Sequence, residues 1–67
     1  MGLVELNYDG TTYNLLAEDC EATIIKTLYG HEDDNVVLVA KDSRVIKMSN
    51  DVKFPVVPGS TYKVIFG

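Results

Sequence analysis

Five consecutive apolar residues, Val36-Val37-Leu38-Val39-Ala40, lie near the middle of a chain of only 67 residues. Successive side chains of a strand point to opposite faces, so this run places hydrocarbon on both sides of any sheet that contains it. A domain of this size builds one core, and that core covers one side. The run therefore implies an apolar strand and also a second apolar face whose cover has to be found.

Sixty-seven residues make a single domain, 1–67. A chain this short buries only about 60% of its unfolded surface, so it folds only with a well-patterned core. The apolar fraction of 46% and charged fraction of 24% are those of an ordinary globular protein. Cys20 is the one cysteine, which excludes an internal disulfide and a cysteine-built zinc site. The opening MGLVELNYDG reaches an acid and a turn before any long apolar region, unlike a signal peptide. No apolar run approaches the roughly 20 residues that span a bilayer, and a cytoplasmic location is expected.

A net charge of −4 argues against binding a nucleic-acid backbone, which takes a basic stripe for counterion release. Lys41, Arg44 and Lys47 are close enough in sequence to form a small basic edge. An ordinary solvated hairpin is the simpler reading.

The hydropathy pattern divides the chain. In LVELNY, 3–8, Val4, Leu6 and Tyr8 share one face. Asp9-Gly10 suits the positive φ of a tight hairpin turn. TTYNLLA, 11–17, then alternates again, with Tyr13, Leu15 and Ala17 together. The period next lengthens: Ala22, Ile25, Leu28 and Tyr29 recur at helical spacing, with Ile24 widening the stripe. The spacing predicts a helix over 20–29, with Asp19 as N-cap, Glu21 in the first turn and Gly30 as the left-handed terminator. HEDDN, 31–35, is a loop. VVLVAK is the third strand, Asp42 and Ser43 supply a turn, and VIKM, 45–48, is a short fourth strand. SNDVKFPVVPGS is too broken by proline for a central strand, although Val52, Phe54, Val56 and Val57 suit a packed crossing loop. TYKVIF, 61–66, is the last strand, with Tyr62, Val64 and Phe66 facing one way. The order β-β-α-β-β-β, one helix across one face of a mixed sheet, is an α+β two-layer domain.

In this order and spacing the chain resembles the ubiquitin-like β-grasp superfamily. The likeness spans the whole chain. It is carried by the Asp9-Gly10 hairpin, the helix launched after AED (17–19), the apolar VVLVAKD and the PGSTYKVIF ending. The resemblance implies a last strand lying parallel to the first, in the sheet centre and next to the third. It also implies a partner-binding apolar patch on the uncovered face around strands three and five. Matching VVLVAKD and STYKVIF to those strands turns Val37 and Val39 toward the helix and Val36, Leu38 and Ala40 outward. Leu38 and Ile65 then form the patch centre, with Lys63 beside Ile65. Full burial of two aliphatic side chains contributes roughly 3–6 kcal/mol gross, against several kcal/mol lost on association. Such a patch supports transient binding, or a permanent contact with a domain of the same chain.

Other chemistry finds little support. Cys20 opens the helix, where a thiol pKa can fall. Asp19 and Glu21 flank it, however, and His31 lies beyond the other helix end, so a structural cysteine is the better reading. His31-Glu32-Asp33-Asp34 lacks the dozen-residue register of a calcium loop. A solvated acidic loop fits better; the runner-up is an acidic rim attracting a basic partner, similar to segments of Phox/Bem-type domains, whose full motif is missing. No phosphate cradle, Ser/His/Asp set or clustered acid–base pair is present. No enzyme activity, metal or cofactor is expected.

The expected role is a non-catalytic interaction module binding a protein partner or an adjacent domain. A covalent modifier or sulfur carrier is a second possibility, but it acts through a C-terminal Gly-Gly and this chain ends VIFG. A third is a structural domain packed permanently within a larger protein. The second and fourth strands should be the sheet margins, through which strand-mediated homo-oligomers can form.

Overall fold

A computed structural model describes residues 2–48 and 53–67 of the chain. Those residues form β1 (Leu3–Tyr8), β2 (Thr11–Leu16), a 3-10 turn (Ala17–Asp19), α1 (Ala22–Tyr29), β3 (Val36–Ala40), β4 (Val45–Met48) and β5 (Thr61–Phe66). The strands make one mixed sheet in the order β2-β1-β5-β3-β4. β1 and β5 run parallel, and the other neighbours are antiparallel. The domain is α+β, with its one helix against one face of the sheet. β2 and β4 are the margins.

The β1–β2 hairpin follows from its turn. Asp9 at φ 50° and Gly10 at φ 79° give the two successive positive φ values of a type I′ turn, whose twist matches that of the strands. Tyr8 and Thr11 flank it as partners, and the ladder runs unbroken to Leu3 and Leu16. The Ala17 N–H adds one more bond, to the Gly2 carbonyl at 2.9 Å. Ala17 itself, however, starts the 3-10 turn rather than closing the strand.

The helix begins at Ala22, two residues later than the expected span of 20–29. The Phe54 N–H bonds the Cys20 carbonyl at 2.9 Å, and Glu21 bridges Lys53. These contacts hold Glu21 extended (φ −110°, ψ 148°), so the first helical residue is Ala22. Asp19 is therefore not the N-cap. Glu21 is, and its side chain makes no capping bond. At the other end the expectation holds. Gly30 is left-handed at φ 73°, and the His31 N–H reaches back to the Lys26 carbonyl at 2.9 Å, the bond of a Schellman stop.

The core lies between α1 and the sheet. Val4 and Leu6 from β1, Val36 and Leu38 from β3, and Tyr62 and Val64 from β5 meet Ala22 and Ile25 of the helix, all nearly or fully buried. Phe54 enters from the crossing segment and is 2% exposed. That segment is pinned again where the Val57 N–H donates to the Tyr62 hydroxyl at 2.8 Å. The expected packing of Val52 falls outside the described residues.

The expected facing of β3 is corrected here. Directly paired residues share a face, and Val36, Leu38 and Ala40 pair with Phe66, Val64 and Tyr62. Tyr62 and Val64 point into the core and Phe66 packs against it, so their partners do too. Val36 and Leu38 are 0% exposed, and Ala40 packs partly buried against the same cluster. Val37 and Val39 take the open face instead. An all-apolar run carries no alternation to fix its phase, and a slip of one residue exchanges the faces.

Candidate functional site

The uncovered face of the sheet is built row by row from the strand registers. Val37 stands beside Ile65. The next row runs Val45, Val39, Lys63, Asn7, Thr12. A third runs Thr61, Glu5, Asn14, and Leu3 pairs with Leu16 beyond it. The face is thus divided. β1 and β2 contribute a half that is polar except at its Leu3–Leu16 end, with hydrogen bonds from Thr61 Oγ1 to Glu5 Oε1 at 3.2 Å and from Thr12 Oγ1 to Asn7 Oδ1. β3, β4 and β5 contribute an apolar strip of Val37, Val39, Val45 and Ile65.

The strip is accessible. Ile65 is 44% and Val45 63% exposed, and Val37 and Val39 are half-buried. Lys63 is exposed at the boundary between the halves, where its stem can lie on apolar surface while its ammonium stays in water. Of the five residues expected to form a partner surface, Lys63 and Ile65 lie on this face; Val36, Leu38 and Ala40 do not. Val45 was missed because its phase depends on a shift in the β3–β4 register between Leu38 and Val39. That shift adds Ile46 on the β4 side and turns it against the core.

A cleft of about 730 Å³ adjoins the strip, lined by Asn7, Tyr8, Asp9, Gly10 and residues 63–66. Its origin is geometric. The parallel β1–β5 pairing ends at Asn7 and Lys63, and the hairpin turns away while β5 continues to Phe66.

Two clusters sit off the open face. At the C-terminal end of the helix the His31 ring stacks on Phe66, centroids 4.2 Å apart, and its Nδ1 meets Asp34 Oδ2 at 2.8 Å. Tyr8 and Tyr29 pack edge-on around the same Phe66, and the Tyr29 hydroxyl lies 3.2 Å from both the Leu6 and Thr11 carbonyls. Burial, and then neighbouring Tyr13, raise the Tyr29 pKa. This cluster locks the helix end to the hairpin. At the β3–β4 turn the Arg44 backbone N–H and guanidinium hold Asp42 below the usual carboxylate range. Arg44 is thus engaged by an acid of its own turn; the side chain of Lys47 lies outside the described set.

Cys20 is fully buried, and burial, reinforced by Asp19, pushes its thiol up to about 11. A protonated thiol is a poor nucleophile at neutral pH. Among the described residues no three His, Cys, Asp or Glu side chains converge as metal ligands. Nor, among those residues, is any helix long and apolar enough to cross a membrane. Comparisons with protein-family models, curated proteins and solved structures give no match.

Proposed function

We propose that the chain is a ubiquitin-like β-grasp domain that works without catalysis, docking a protein partner or an adjacent domain through the open face of its sheet. The strand order, with β1 and β5 parallel at the centre and one helix on one face, supports the family reading. The docking reading rests on one observation: Val37, Val39, Val45 and Ile65 form a contiguous apolar strip that no described element covers. Lys63 borders it and orients a partner by its charge. The proposed surface keeps Lys63 and Ile65 and takes Val37, Val39 and Val45 in place of Val36, Leu38 and Ala40.

The gain available is modest. Each aliphatic side chain contributes roughly 1.5–3 kcal/mol when fully buried, and three of the four residues are valines, two of them already half covered. Set against the entropy lost on association, the strip supports weak, exchanging contacts, or a lasting one where the partner is tethered.

The test is capture by the double variant Val39→Asp/Ile65→Asp alongside the unsubstituted domain, with folding followed by circular dichroism. The expected result is loss of the captured partner with the thermal transition kept. Equal capture by a folded double variant would exclude this face.

A further inference from the structure

We infer that β2 is a homodimerisation edge, two copies of the chain pairing β2 with β2 antiparallel about Asn14 to make one continuous sheet. The inference concerns the margin of the sheet and stands apart from the docking role of its face.

The hairpin register determines which backbone groups are free. In a two-residue hairpin the residues flanking the turn, Tyr8 and Thr11, exchange hydrogen bonds, and bonded pairs then alternate along the ladder. Thr11, Tyr13 and Leu15 thus bond to β1, while the N–H and C=O groups of Thr12 and Asn14 and the N–H of Leu16 point away. No described strand lies on that side of β2. Among the described residues, none of the backbone bonds outside the strands reaches those groups of Thr12 and Asn14. The Leu16 carbonyl is turned to its own chain, where Cys20 Sγ approaches it at 3.7 Å.

No described residue guards this edge. Thr11-Thr12-Tyr13-Asn14-Leu15-Leu16 has no charged residue, no proline and no register shift. Such residues and bulges are what keep natural edges from pairing. The opposite margin has them: β4 is four residues long, contains Lys47, carries a register shift and follows a turn that holds Asp42 and Arg44.

The free groups are also self-complementary. Antiparallel pairing centred on Asn14 sets Asn14 against its own copy and Thr12 against Leu16 of the second chain. Two bonds form between the Asn14 backbones and two from Leu16 N–H to Thr12 C=O, and the uncharged strand brings no like charges together at the centre. On the open face the two Asn14 amides face each other, donor to acceptor. On the helix face Tyr13 meets Leu15 of the second copy, both half-buried in a single chain. At the two ends of the pairing, Asp9 approaches the Glu18–Asp19 segment of the other copy, in a chain of net charge −4. One strand pair covers less than a standard protein interface. The dimer is therefore weak, concentration-dependent and strengthened by salt, which screens the acidic ends.

The test is sedimentation equilibrium over a concentration series at low and high salt. The unsubstituted chain is expected to rise from monomer toward dimer mass, further in high salt. Asn14→Lys and Asn14→Asp alter an exposed side chain and leave the bonds to β1 in place. Each should lose self-association, since like charges then face one another, and an equimolar mixture should regain it. Val39→Asp and Ile65→Asp should self-associate as the parent does. A parent that stays monomeric at every concentration and salt overturns the inference. So does a dimer unaffected by Asn14→Lys, a mixture no more associated than its parts, or self-association lost with Ile65→Asp.

Discussion

Leu38 and Val39 are neighbours in the chain with opposite fates. Leu38 is fully enclosed between α1 and the sheet, while Val39 is half-buried on the uncovered side. Leu38→Ala should cost about 2–5 kcal/mol, the range for opening a core cavity. Val39→Thr should change stability by about 0.5 kcal/mol or less. Urea denaturation of both variants separates the two sites, and equal costs would reverse the facing of β3. Cys20 makes a pH prediction. Its folded-state pKa of about 11 lies above the ordinary thiol value of 9.0 because burial disfavours the thiolate. The folded chain therefore holds its proton where the unfolded chain releases it. That stabilisation is complete below pH 9 and is lost as pH rises toward 11, by roughly 2–3 kcal/mol in all. Tyr29, also raised, adds to the same slope. Stability should fall less over this interval in Cys20→Ala than in the parent, as read from urea midpoints at pH 8 and 10.5.

At the scale of the element, α1 is eight residues long and contains β-branched Thr23, Ile24 and Ile25. A helix so short and so composed is held by tertiary packing rather than by propensity. Its two ends differ. Gly30 supplies a left-handed stop, and Gly30→Ala should destabilise the domain by about 1–2 kcal/mol through the Cβ penalty at φ 73°. Glu21 stands at the N-cap without a capping bond, where a shorter acid reaches the free N–H groups better. Glu21→Asp should raise stability by about 0.5–1 kcal/mol in thermal or urea unfolding. The hairpin is legible from Asp9-Gly10 alone because few residue pairs accept two positive φ values in succession. The late start of α1 is not legible, because the contacts that keep residues 20 and 21 out of the helix come from Lys53 and Phe54, more than thirty residues away.

For the whole molecule, the sheet order places β5 between β1 and β3, so the last strand completes the core. Among the described residues this leaves one bare face and one unguarded edge. Face and edge are separable by experiment: Asp at 39 and 65 addresses partner capture, Lys at 14 addresses self-association. A third substitution bears on both. Leu38→Asp buries an unpaired charge in the core and should abolish the cooperative unfolding transition in circular dichroism, whatever the partner. Had Leu38 been the surface contact that an outward-facing β3 implied, it would have been tolerated.

The sequence by itself determined the number and order of the strands and the place of the helix among them. The hairpin turn, the change of period at Ala22, the glycine stop and the alternation in TYKVIF are local signals, each set by backbone sterics or by a polar side chain that has to face water. It also specified the inward faces of β1 and β5, where apolar residues alternate with polar ones. Only the tertiary structure decided the facing of β3, where apolar residues stand at every position and pairing with Tyr62, Val64 and Phe66 chooses between two otherwise equal phases. The membership of the open strip follows from that choice. Periodicity informs only where side chains differ in their affinity for water, and in VVLVA they do not.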